Sequence, residues 1–134
     1  MKRLHDWQLR FEAFARERQS QPFCWGRNDC CLFAADAVLA ITGRDLAKRQ
    51  RGTYSTASQA LRRLRARKGV AGIATRLLGA PVPPLMARVG DLVLIEMDGM
   101  PALGVCNGTS LIGPGPDGIV AFGMGHAKAA WRVG

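Results

Sequence analysis

The chain has 134 residues, of which 48% are hydrophobic and 22% charged, proportions typical of a globular domain large enough to fold without disulfide or metal staples. No apolar stretch is long enough to span a membrane, and Asp6, Arg10 and Glu12 interrupt the segment where a signal peptide needs a continuous apolar run. We therefore expect one domain over residues 1–134, without a membrane span and without signal-dependent export.

The net charge of +9 is unevenly distributed along the chain. Between residues 44 and 68 the only acid is Asp45. The basic residues of the same segment are Arg44, Lys48, Arg49, Arg51, Arg62, Arg63, Arg65, Arg67 and Lys68. This segment would attract an anionic partner such as DNA, lipopolysaccharide phosphates or an acidic subunit, and the alternative is a solvated face. Because no nucleic-acid motif accompanies it, we expect contact with DNA or another polyanion to be weak, electrostatic and salt-dependent.

Two helices are predicted in the first third of the chain. The spacing of apolar residues predicts an amphipathic helix over residues 3–19 with an aromatic stripe in the core. The stripe consists of Leu4, Trp7, Phe11 and Phe14. A proline and a glycine then break the helix, and Asp29 can cap a second helix that begins at Cys30 and ends at Gly43.

Two further helices complete the helical part, which covers about residues 1–80. Thr56 and Gln59 have the spacing of a capping box, which predicts a helix that extends to Gly69. A shorter helix is predicted to end at Gly79. Three prolines then form a rigid connector, after which the apolar pattern becomes strand-like.

The sheet part is predicted to cover about residues 88–134. Residues 90–97 form a short apolar run typical of a buried strand, and Asp98-Gly99 predicts a tight hairpin turn into a strand over residues 101–106. Additional short strands are expected around residue 111, at 119–122 and at 130–133. Helices followed by an antiparallel sheet indicate the α+β class.

The four cysteines lie in a chain without an export signal, which favours reduced thiols and leaves catalysis, metal binding and core packing open. They are Cys24, Cys30, Cys31 and Cys106. Their spacing lacks paired Cys-x-x-Cys knuckles, so we predict no metal site. Cys30 opens a helix, where the dipole and unpaired N–H groups favour the thiolate. Cys31 is displaced by about 100° around the helix, so only one of the two is expected to face a given cleft, with Cys31 pointing inward.

Three segments are informative together: Phe23-Cys24-Trp25-Gly26-Arg27-Asn28-Asp29-Cys30-Cys31 before an alanine-rich helix, then Gly90-Asp91-Leu92-Val93-Leu94, then Ala102-Leu103-Gly104-Val105. They resemble motifs of the NlpC-type cysteine peptidases, papain-like enzymes that cut peptidoglycan stem peptides. The likeness is closer to small NlpC-like proteins encoded among the tail genes of phages, prophages and gene transfer agents. It extends from about Pro22 to the end of the chain and implies a papain-like fold with N-terminal helices packed on a C-terminal antiparallel sheet.

The resemblance implies roles for particular residues. Cys30 corresponds to the nucleophile, while Trp25 and Asp29 would shape the cleft and cap the helix. The general-base histidine of the family would stand at Ala102, and the residue that orients it at Gly113. Both members of the relay are therefore missing from this sequence.

The chain has only two histidines that could replace the missing base. His5 is expected on the solvated face of the first helix. His126 lies in a predicted loop before the last strand and is the remaining candidate for a base. General-base assistance contributes about 100- to 10,000-fold to the rate, so a fully competent peptidase is not expected.

The resemblance implies a virion protein, a structural component of a phage-type tail tip that is assembled in the bacterial cytoplasm. Its implied partners are other tail-tip or tail-hub proteins and a peptidoglycan peptide, which would bind in the cleft that corresponds to the active site of the peptidases. No cofactor is implied. The alternative is an active peptidoglycan endopeptidase that uses Cys30 with an unorthodox base.

Overall fold

The computed structural model describes residues 1–134 and contains four α-helices followed by one five-stranded antiparallel sheet. The helices are α1 (Trp7–Arg18), α2 (Cys30–Thr42), α3 (Ala57–Ala66) and α4 (Gly69–Leu78). The strands are β1 (Leu92–Met97), β2 (Met100–Cys106), β3 (Ser110–Gly115), β4 (Gly118–Gly123) and β5 (Ala129–Trp131). The predicted α+β class, with helices before strands, is confirmed.

Helix α1 begins four residues later than predicted because the preceding segment bonds elsewhere. The Leu4 amide donates to the Ile41 carbonyl of α2 at 2.8 Å, which draws the chain away from the helix axis. His5 therefore lies in an exposed turn before α1, and its predicted place on the helix is wrong. Phe11 and Phe14 are buried, as the aromatic stripe predicted.

Helix α2 has the predicted bounds and forms the centre of the core. The Asp29 carboxylate accepts a hydrogen bond from the Leu32 amide at 3.0 Å, and Gly43 ends the helix in the left-handed region. Phe33, Val38 and other apolar side chains of α2 are fully buried against α1 and the sheet. Most of the helix is thus buried, whereas Cys30 in its first turn is only half-buried and Leu39 near its end is exposed.

The boundary between α3 and α4 lies earlier in the chain than predicted. The capping box is confirmed, because the Thr56 hydroxyl accepts from the Gln59 amide and the Gln59 side chain accepts from the Thr56 amide. However, α3 ends at Ala66 because Lys68 adopts a left-handed conformation, with φ +62°. Helix α4 ends at Gly79, as predicted. None of the four helices combines the length and the apolar character needed to cross a membrane.

The strands are arranged in the order β4-β3-β2-β1-β5, so the first hairpin lies in the middle of the sheet. Its turn is Asp98-Gly99, with φ +52° and +77°, the two positive values of a type I′ turn. Met97 pairs with Met100 across this turn, which confirms the predicted hairpin. Strand β5 returns to pair with β1, placing Trp131 beside Leu92.

The two faces of the sheet support two separate apolar clusters. The helix-facing cluster includes Leu92, Leu103, Val105, Ile112 and Trp131 together with α1, α2 and α4. The opposite face carries a smaller cluster of Val93, Ile95, Cys106, Leu111 and Ala130. Successive residues of a strand point to opposite faces, so neighbouring positions on β2 belong to different clusters.

A buried carboxylate at Asp91 joins the start of β1 to both ends of the chain. It accepts hydrogen bonds from the Val133 amide at 2.9 Å, the Arg3 guanidinium at 3.0 Å and the Arg88 amide at 2.9 Å. Arg3 also donates to the Val133 carbonyl at 2.7 Å. In the Gly90-Asp91-Leu92-Val93-Leu94 segment, the aspartate therefore has a structural role, because it connects the start of β1 to the N-terminal and C-terminal segments.

Candidate active site

The turn before α2 is organised by the carboxylate of Asp29, which is only 2% exposed. It accepts three hydrogen bonds, from the Leu32 amide at 3.0 Å, the Gly26 amide at 3.0 Å and the Tyr54 hydroxyl at 2.5 Å. The first of these caps α2, and the other two hold neighbouring loops against it. Asp29 thus fixes both the helix start and the walls around Cys30, which is a wider role than the predicted cap.

Glycine is required in the Trp25-Gly26 turn. Gly26 has φ +80°, and a Cβ atom there would lie 2.0 Å from the Tyr54 carbonyl oxygen. The missing side chain therefore lets the Tyr54 loop approach the start of α2. Trp25 packs edge-on against Phe23, with ring centroids 4.8 Å apart, and forms one wall of the cleft.

The pKa of the Cys30 thiol lies below its ordinary value. The main cause is hydrogen bonding from the neighbouring Cys31 thiol, and the Leu103 backbone amide of β2 adds to it. Burial and the Asp29 carboxylate act in the opposite direction without cancelling the effect. The pKa of Cys31 is raised well above its ordinary value, mainly by the same contact with Cys30. Cys30 is therefore the better nucleophile of the pair.

Cys30 opens into a cavity of about 830 Å³ between the helices and the sheet. Trp25, Asp29, Ala102 and Gly113 also line it, so the structure brings together most of the residues singled out in the sequence. Cys31 lines the same cavity and also packs against the main core. The prediction that only one of the two thiols faces a given cleft is therefore wrong, because the cavity extends around the first turn of α2.

No histidine lines the cavity of Cys30. Ala102 presents only a methyl group, which packs with the smaller cluster on the opposite face of the sheet, and Gly113 has no side chain. His126 is exposed and lines a separate pocket with Glu96 and Lys128. The structure therefore does not bring His126 together with Cys30, and neither Ala102 nor Gly113, the positions expected for the relay, offers a proton acceptor.

The four cysteines do not converge on one point. Cys24 is exposed before the Trp25 turn, whereas Cys106 is fully buried beside Ile95 and Leu111 in the smaller cluster. No group of three or more histidine, cysteine, aspartate or glutamate side chains is placed to hold a metal ion.

Part of the basic segment is paired within the chain. Arg51 pairs with Asp36 and Asp45, and Arg63 donates to Gln50 and to the Thr53 hydroxyl. Arg63 also lines the Cys30 cavity, as do three other cations of the segment, Lys48, Arg49 and Arg67, and Arg76 of α4. Tyr54 is a further residue of the site that the sequence did not indicate, since its contact with Asp29 joins residues 25 positions apart and leaves no local pattern.

The rate of Cys30 alkylation by iodoacetamide is expected to rise with pH through a midpoint below about 8.5, the ordinary thiol value. The lowered pKa maintains a larger thiolate fraction near neutral pH. Cys31→Ala should move the midpoint upward, because it removes the main cause of the lowering. His126→Ala should leave the profile unchanged, because His126 lies in another pocket. Tandem mass spectrometry of the alkylated peptide distinguishes the two adjacent thiols.

A midpoint for Cys30 at or above the ordinary thiol value would contradict this description of the helix start. A shift in the His126→Ala variant would show that this histidine reaches Cys30 in solution and would restore it as a candidate base.

The fold and the site define an α+β protein with a low-pKa cysteine at the start of its central helix. A family model described as a domain of unknown function, DUF6950, matches residues 2–133, and the chain belongs to that family. No curated protein matches the sequence.

Proposed function

We propose that the chain is a component of a phage-type tail tip with a papain-like NlpC-type fold and a degenerate catalytic relay. One observation carries the proposal: a thiol with a lowered pKa opens into a large cleft in which no histidine stands. A nucleophile without a base loses about 100- to 10,000-fold in rate. A structural or binding role fits this arrangement better than catalysis does.

Two features of the structure support the papain-like part of the proposal. The helix that begins with Cys30 packs against β2, and the Leu103 amide of that strand reaches the thiol. Ala102, which corresponds to the base of the family, is the neighbour of Leu103 and borders the same cavity, while its methyl group packs on the opposite face of the sheet. The segments that carry the motif residues are thus neighbours in space, although they are distant in sequence.

The assignment to a tail tip is supported by the Trp25-Gly26-Arg27-Asn28-Asp29-Cys30-Cys31 segment, which resembles the opening of small NlpC-like proteins encoded among phage tail genes. In this role the chain would dock on other tail-tip or tail-hub proteins during assembly in the bacterial cytoplasm. A peptidoglycan peptide is the expected ligand of the cleft near Trp25 and Cys30.

Particles assembled with the Cys30→Ala chain are expected to contain the normal amount of the protein and to retain infectivity. The thiol is half-buried and makes no structural hydrogen bond comparable with those of Asp29. Deletion of the whole chain provides the matched control and should abolish assembly. Loss of infectivity from Cys30→Ala in fully assembled particles would overturn a purely structural role.

The alternative is an active cysteine hydrolase of peptidoglycan, and the lowered pKa of Cys30 favours it. A thiolate formed without a base could attack a peptide carbonyl slowly by itself. Cleavage of muropeptides by the wild type, absent from Cys30→Ala, would establish this function in place of the first.

A further inference from the structure

The part of the cavity that lies away from Cys30 is an apolar chamber between α3, α4 and the sheet. Eight apolar lining residues come from the two helices: Ala60, Leu61, Leu64, Val70, Ile73, Ala74, Leu77 and Leu78. The sheet adds further apolar side chains, among them Leu92 and Leu103. The whole cavity, including the part at Cys30, has a volume of about 830 Å³, which lies within the range of small-molecule sites.

The polar side chains that line the interior already have hydrogen-bond partners. Asp29 is bound by two backbone amides and by Tyr54, and the Tyr54 hydroxyl is used in that contact. A peptide or a sugar that entered the apolar chamber would lose its hydrogen bonds to water without replacement. An alkyl chain has no hydrogen bonds to lose and gains from the burial of its apolar surface.

Cations without partners surround this apolar chamber. They are Lys48, Arg49, Arg67 and Arg76, and none of them forms a salt bridge or a side-chain hydrogen bond within the chain. Lys48, Arg49 and Arg76 are exposed, and Arg67 is half-buried. Of the three carboxylates that line the cavity, Asp45 is neutralised by Arg51, Asp98 stands on the exposed hairpin turn, and Asp29 is buried at the start of α2 with its hydrogen bonds satisfied.

We propose that this cavity binds a single-chain amphiphile with an anionic head group, either a carboxylate or a phosphate. The alkyl chain occupies the apolar chamber between α3, α4 and the sheet. The anionic head group binds to the unpaired cations that line the cavity, which supply charge-assisted hydrogen bonds. Neither the fold class nor the proposed place in a tail tip implies this ligand.

Calorimetric titration of the full chain tests the proposal with four probes that share one alkyl chain, each below its micelle concentration. Hexadecanoate and the corresponding lysophosphatidate carry the two anionic heads, methyl hexadecanoate is neutral, and hexadecyltrimethylammonium is cationic. Both anionic probes are expected to bind with one molecule per chain, and the neutral and cationic probes at least about tenfold more weakly. Binding of only one anion would identify the head group.

Two sets of substitutions distinguish the effect of the cations that line the cavity from the effect of the overall charge of the chain. Lys48→Ser, Arg49→Ser, Arg67→Ser and Arg76→Ser together should weaken binding of the anionic probes by about tenfold or more. The control removes the same charge from residues of the basic segment that do not line the cavity: Arg44→Ser, Arg62→Ser, Arg65→Ser and Lys68→Ser. This control should change the affinity by no more than about twofold.

Filling the chamber should abolish binding of both anionic probes while the protein remains folded. Ile73→Trp places a large ring in the cavity, and Leu77→Trp, at a position that is 41% exposed, does so with less risk to folding. Absence of binding to the wild type, equal binding of the cationic probe or equal weakening by both sets of serine variants would each overturn the proposal. Binding of an acidic apolar peptide without binding of either anionic lipid would also overturn it.

Discussion

Asp91→Ala is expected to lower the free energy of unfolding by about 3–5 kcal/mol, the usual cost of removing one partner from a buried ion pair. Asp91 is fully buried and accepts hydrogen bonds from Arg3, Arg88 and the Val133 amide. Its loss leaves the Arg3 guanidinium, only 13% exposed, without its counter-charge. The N-terminal segment, the start of β1 and the C-terminal segment would lose their common contact.

Guanidinium denaturation followed by circular dichroism measures this change as a lower midpoint at unchanged slope. Asp6→Ala is the matched control, because it also removes an aspartate that pairs with an arginine, but the Asp6–Arg10 pair lies on the surface. Surface pairs contribute little to stability, so its midpoint should stay near that of the wild type. Equal shifts for the two variants would refute the assigned role of Asp91.

Asp29→Ala is expected to destabilise the protein by about 3 kcal/mol, since it removes a helix cap and leaves buried donors without a partner. The Leu32 and Gly26 amides and the Tyr54 hydroxyl all lose their acceptor. The same denaturation experiment measures the loss. Tyr54→Phe is the control that removes only one of these three bonds, and it should cost about 1 kcal/mol. A larger loss from Tyr54→Phe than from Asp29→Ala would contradict this account.

Asp29→Asn tests how the charge of this side chain affects the pKa of Cys30, because it removes the charge and nearly preserves the shape. The Asp29 carboxylate raises the pKa of Cys30 by electrostatic repulsion of the thiolate. The amide retains an acceptor oxygen for the helix cap but carries no charge, so the pKa of Cys30 should decrease further. The alkylation midpoint of Cys30 should therefore move to lower pH, and an upward shift would show that the cap geometry had been lost instead.

Local signals made the element boundaries around the site predictable. Asp29 before Cys30, Gly43 after α2, the Thr56–Gln59 capping box and the Asp98-Gly99 turn each act over a few residues, and the structure contains all four. Hydrogen bonds and backbone conformations of this range are encoded by neighbouring residues. The start of α1 was predicted too early because it depends on a distant contact. The Leu4 amide donates to the Ile41 carbonyl, so the helix begins only at Trp7.

The rest of the site depends on contacts that no local pattern encodes. Tyr54 reaches Asp29 across 25 positions, and the Leu103 amide of β2 reaches Cys30 across the helix–sheet interface. The grouping of unpaired cations at one cavity likewise requires the packing of α3 and α4, so their sequence spacing alone indicated only a solvated face or a generic anionic partner. By contrast, the shortage of histidines was visible in the sequence, which contains only two.

Digestion of purified muropeptides by the wild-type chain, Cys30→Ala and Cys24→Ala measures whether Cys30 acts as a catalytic nucleophile. Cys24 is an exposed thiol that does not line the cavity, so its substitution controls for nonspecific effects of cysteine loss. The account predicts that chromatography detects no cleavage by the wild type above the Cys30→Ala background. Cleavage that is lost in Cys30→Ala and retained in Cys24→Ala would contradict it and identify the chain as a working cysteine peptidase.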